Sequence, residues 1–91
     1  MILLISYDLN GREKPEAYQD VEKMIKEQSD SWAKPLYSHW FVDTTDSINT
    51  WNERMKKVTD SDDRWLITRV YYDTSDGVLN TKVWEWFKER A

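Results

Sequence analysis

The opening stretch MILLISYD, residues 1–8, is apolar on both of the faces that a β-strand presents. Side chains alternate across a strand, so Ile2 and Leu4 share one face with Ser6 and Asp8, while Leu3, Ile5 and Tyr7 share the other. A strand with large apolar groups on both sides reads as a central one, buried above and below. That requirement shapes the reading of everything after it.

The rest of the chain supplies the covering elements. NGREKP is a polar turn, and Pro15 suits the first turn of a helix. Ala17, Val21, Met24, Ile25 and Gln28 then recur at helical spacing, with Glu22, Lys23, Lys26 and Glu27 on the wet side. WAKPLYSHWFVDTT reads as two short strands in close succession. Pro35 cannot donate to a ladder, so its segment belongs at a sheet edge or in the bend. In the second of these strands Trp40 and Val42 share one face, His39 and Phe41 the other. TTDS offers N-cap residues for a second helix, whose apolar stripe is Ile48, Trp51, Met55 and Val58. RWLITRVYY is β-branched and aromatic and reads as a strand. After the loop DTSDG, LNTKVWEWFKER closes the chain as a short helix, with Val83 and Phe87 one turn apart.

Strand, helix, strand, strand, helix, strand, helix is the order expected. Two strand–helix–strand units imply an α+β, ferredoxin-like βαββαβ sandwich with an extra C-terminal helix. Ninety-one residues make one domain, residues 1–91. So short a chain buries only about two-thirds of its unfolded surface. Six Trp, five Tyr and two Phe compensate, since a buried aromatic removes roughly 150–250 Å² from water. That surplus, with the apolar sheet face that the first two helices leave open, predicts cover by the last helix and by a second protomer.

The net charge is -4 and the pI about 4.9. This weighs against tight, sequence-independent binding to nucleic acid, which rests on phosphate neutralisation. With no Cys, disulfides and thiolate metal sites are excluded. The first residues lack the basic segment of a signal peptide, and no run approaches the roughly 20 apolar residues of a membrane span. The expectation is a cytoplasmic protein with no membrane association.

Few residues point to chemistry. Asp8 and Asn10 offer oxygen ligands of the kind that Mg²⁺ or Mn²⁺ prefers, but the same pair can close a strand as a turn. His39, the lone histidine, suits a general base, a metal ligand or a structural position. The acidic stretch Asp60 to Asp63 lacks the Gly and distant Glu of a calcium loop and reads as a solvated turn. Lys23, Lys26, Lys34, Arg54, Lys56 and Lys57 would form a basic patch if the helices lie side by side, but interleaved Glu22, Glu27 and Glu53 make a mixed-charge surface. No phosphate-binding loop, nucleophile elbow or paired acid/base motif is present.

LISYDLN, PLYSHWFVDTT, DDRWLITRV and WEWFKER together resemble a group of small bacterial and phage proteins labelled SinR-like. These belong to a wider Cas-two-like set that includes the small CRISPR-associated ferredoxin-fold nuclease, VapD-type toxins and the GhoS antitoxin. The resemblance implies a ferredoxin-like homodimer in which an Asp ending the first strand of each protomer holds a divalent metal for cleavage of RNA or DNA. Asp8 matches that position. Arg12 is the nearest equivalent of an Arg in the following turn, and Ser38 of a Ser before the third strand. The alternative expectation is a non-catalytic, acidic interaction or inhibitor protein, phage or mobile-element encoded, that binds a protein partner.

Overall fold

The structure, a computed structural model, describes residues 1–9 and 15–91. Strand β1 (Ile2–Asp8) leads into helix α1 (Pro15–Gln28). Strands β2 (Ser31–Leu36) and β3 (His39–Asp43) follow as a hairpin, then helix α2 (Ile48–Val58) and strand β4 (Arg64–Val70). A 3-10 turn at Tyr72–Thr74 leads to helix α3 (Thr81–Glu89). Among the described residues the sheet has four strands in the order β2-β3-β1-β4, and every neighbouring pair is antiparallel. Helix α1 thus links two strands that flank β3, and α2 links two that flank β1. Among the described residues no helix is long and apolar enough to cross a membrane.

β1 lies in the interior of the sheet, as its two apolar faces require. Leu3, Ile5 and Tyr7 pack with Val21, Met24 and Ile25 of α1, Trp40 and Val42 of β3, and Trp51 and Met55 of α2. On the opposite face Ile2, Ala33, Phe41 and Phe87 form a second core, with Leu4, Val70, Val83, Trp84 and Trp86 against it. Helix α3 therefore covers the sheet face that α1 and α2 leave open, the first of the two covers expected. It is pinned at its end: the Arg90 guanidinium lies 3.5 Å from the Asp43 carboxylate, donates to Ser31 Oγ at 3.2 Å and stacks 4.6 Å from the Trp86 ring. Trp86 Nε1 donates to the same Ser31 oxygen.

Local signals account for the boundaries. Ser47 caps α2 by accepting the Thr50 amide at 3.1 Å, and Asn80 caps α3 by accepting the Lys82 amide at 2.8 Å. Pro35 lies in an edge strand, where the β2–β3 register shifts between Ala33 and Leu36. Two faces differ from the pattern expected. Gln28 is exposed at the end of the α1 stripe. Ile48, placed on the apolar stripe of α2, is 41% exposed, whereas Trp51 and Met55 of the same stripe are fully buried in the core.

The indole N–H groups of the core are satisfied. Trp51 donates to Thr44 Oγ1 at 3.1 Å and Trp40 to the Tyr7 hydroxyl at 2.9 Å. Burial pushes the Tyr7 phenol up from 10.0 to about 12, against the opposing effect of the Trp40 hydrogen bond. Trp51 is fully buried, so Trp51→Ala is expected to destabilise the protein by about 3–5 kcal/mol; thermal denaturation showing a near-parental midpoint would refute its place in the core. A phenol held neutral by folding contributes stability that is complete below pH 10 and lost as pH rises toward about 12. The melting temperature is expected to fall more steeply across that window in the parent than in Tyr7→Phe.

Candidate functional site

The sheet face under α3 is crossed by rows of paired residues. Phe41 and Leu4 fill one row, and Leu36, His39, Ser6 and Leu66 fill the next. Asp8 and Arg64 pair at the rim beyond it. Helix α3 covers the rows around Ile2 and Leu4 and leaves the end toward Asp8 open. There Leu36 is 54% and Leu66 61% exposed. A groove of about 340 Å³ opens beside them, walled by Leu4, Leu36, His39, Phe41, Val78 and Trp84, with Asp76 in its lining.

Asp8 is exposed at the end of β1. Across the ladder it faces Arg64, and side chains directly opposite in an antiparallel pair stand about 4.5–5.5 Å apart at Cβ. His39 lies on the same face, one row back and diagonal to Asp8, a spacing of about 7–8 Å. Its Nδ1 is 2.8 Å from the Tyr37 carbonyl. A carbonyl only accepts, so Nδ1–H is the donor in this contact. Ser38 forms the β2–β3 turn in the left-handed region, φ 63°, and its carbonyl accepts the Tyr7 amide at 3.2 Å. Asn10 and Arg12 lie outside the described residues.

The described residues do not by themselves build a divalent-metal site at Asp8. The fold offers one carboxylate and, at a diagonal, one imidazole, and sets Arg64 at the register position opposite Asp8. Among the described residues the group of acids close enough to share an ion is Asp60, Asp62 and Asp63, whose ligand atoms lie within 4.8 Å of one another. These acids sit in the turn between α2 and β4, and Asp63 accepts the Asp60 amide at 2.7 Å. That carboxylate helps to close the turn, in keeping with its sequence reading.

The basic residues are dispersed. Lys34 pairs with Glu22 at 3.4 Å, Arg54 with Asp46 at 2.9 Å and Lys56 with Glu53 at 3.1 Å, so the helices carry mixed charge. One cluster escapes sequence reasoning. Lys26 Nζ lies 5.0 Å from the Trp32 ring centroid, and Lys34 Nζ lies 5.0 Å from Trp40 and 5.2 Å from Tyr37. These cations stack on aromatics along the β2 edge, and only the packing of α1 on the sheet unites them. Arg64 was equally invisible as a partner of Asp8, because strand register alone brings them together.

No protein-family model matches the chain, and no curated protein matches it.

The Asp8–Arg64 pair is exposed on both sides, so its coupling is expected to stay below about 1 kcal/mol. A double-mutant cycle with Asp8→Asn and Arg64→Ala, read by urea denaturation, checks this. A coupling of several kcal/mol would show the pair to be shielded from solvent.

Proposed function

We propose that this chain is a ferredoxin-like domain that works as a homodimer and acts by binding a protein partner. The ferredoxin-like reading is supported by the two interleaved strand–helix–strand crossovers in one antiparallel sheet. The binding reading is carried by one observation: an apolar groove of about 340 Å³ lies open on the sheet face beyond α3, with the exposed Leu36 in its wall. The groove offers a seat for an apolar side chain, and Asp76 in its lining with a net charge of -4 favours a basic surface around that side chain.

A second reading, a metal-dependent endonuclease acting on RNA or DNA, is favoured by the shared position of Asp8 and His39 on one sheet face. Asp8, with Asn10 and the Asp8 of a second protomer, would hold Mg²⁺ or Mn²⁺, which would supply an activated water and offset phosphate charge.

The two readings separate experimentally. The purified protein is expected to leave single- and double-stranded RNA and DNA intact with either metal. Metal-dependent cleavage that disappears in a folded Asp8→Asn variant would overturn the binding reading in favour of the second. Short lysine-flanked peptides bearing one Leu or Phe are expected to shift the NMR signals of Leu36, His39, Phe41 and Trp84, and Leu36→Glu to abolish those shifts. Peptides that leave these signals unmoved would remove the groove from the account.

A further inference from the structure

A strand at the edge of a sheet presents a row of unpaired N–H and C=O groups, and proteins usually blunt such edges. The two edges here differ. On β2, Pro35 lacks an N–H and the register breaks between Ala33 and Leu36, so that edge is a poor template for another strand. On β4 neither device is present. Its register with β1 runs unbroken from Ile2↔Val70 to Asp8↔Arg64, and its segment RWLITRV contains no Pro or Gly. Among the described residues no strand pairs with its outer side, and Leu66 stands exposed along it.

We infer that the outer edge of β4 pairs antiparallel with β4 of a second copy of this chain, about a two-fold axis at Ile67, so that the two sheets become one. The inference rests on the homodimer reading above and gives that dimer an interface. A two-fold axis requires a self-complementary strand, and the order of charges along β4 provides one. Centred on Ile67, all seven residues Arg64–Val70 find partners. Trp65 faces Arg69 of the second copy, Leu66 faces Thr68, and Arg64 faces Val70. No charge meets its like. Asp63, just before the strand, becomes diagonal to Arg69 of the second copy, so the acidic end of each strand lies against the basic end of the other.

The side chains suit these contacts. The Trp65 indole is fixed by donating to Asn52 Oδ1 at 2.8 Å and lies on the same sheet face as Arg69, so a guanidinium from the second copy meets an aromatic held in place. The two Leu66 side chains become diagonal neighbours on the opposite face, within reach of each other. This gives the exposed apolar group in mid-strand a cover. An interface of one strand edge and these few side chains belongs to the small, transient class, so association should depend visibly on concentration.

Sedimentation from low to high micromolar protein, with amide hydrogen exchange, tests the inference. The parent should pass from monomer to dimer, and the outward amides of Arg64–Val70 should gain protection as it does. Leu66→Lys puts two like charges side by side at the axis and should weaken association at least about tenfold while leaving the monomer's melting temperature unchanged, because Leu66 is exposed. Should that variant fail to fold, Arg69→Glu, which brings acid against Asp63 of the second copy, carries the same expectation. A dimer that persists unweakened in the folded variant, with outward β4 amides exchanging freely, would overturn this interface and leave the homodimer standing. A parent that stays monomeric throughout would remove both.

Discussion

The double burial of β1 is the constraint on which the rest of the structure depends. Leu3, Ile5 and Tyr7 on one side and Ile2 and Leu4 on the other must all leave water, and one sheet with helices on one face cannot do that. Helices α1 and α2 satisfy the first face with Val21, Ile25, Trp51 and Met55. The second face falls to α3, a helix of nine residues. Its hold is concentrated in a few large contacts: Phe87 at 4.8 Å from the Phe41 ring and 5.5 Å from the Tyr72 ring, Trp86 stacked against Phe41, and the Arg90–Asp43–Ser31 cluster at its end. The aromatic-rich composition serves this need, because a short helix buries enough surface only if its side chains are large.

The shortness of α3 also sets where function can lie. It reaches across the rows around Ile2 and Leu4 and stops, leaving Ser6, Asp8, His39 and Leu66 at the open end of the same face. The polar residues that drew notice in the sequence thus share a neighbourhood with a groove and exposed leucines. The pairing of Asp8 with Arg64 changes the meaning of that neighbourhood. A carboxylate alone at a strand end suits a hard cation; here a cationic residue, Arg64, takes the register position opposite it. The open end of this face carries the proposed partner site, and the unguarded edge of β4 lies beside it.

How much of this was legible follows from the range of the interactions involved. The alternation in ILLISYD gave the correct faces of β1, and HWFVD those of β3, because side-chain direction along a strand is a local property. Pro35 marked an edge strand, since a missing N–H is a fact of the residue itself. Ser47 as a cap and Trp51 and Met55 as the buried stripe of α2 were local as well. Ile48 was not, because how deeply each residue of a helical stripe is buried depends on packing. Of the candidate site, Asp8 and His39 could be named from the sequence, but their diagonal relation could not. The Lys26, Lys34, Trp32 and Tyr37 cluster was likewise hidden, since it joins a helix to a sheet edge.

What the sequence by itself determined is the set of elements, the faces they bury and the need for cover on both sides of β1, because these follow from periodicity, capping and the lack of an N–H at proline. What only the tertiary structure decided is strand order and register. Those place Arg64 opposite Asp8, His39 one row behind it and β4 at an unguarded edge. Such relations are made by pairing between segments dozens of residues apart, and the free energy that selects them belongs to the whole packed sheet and is encoded in no single stretch of chain.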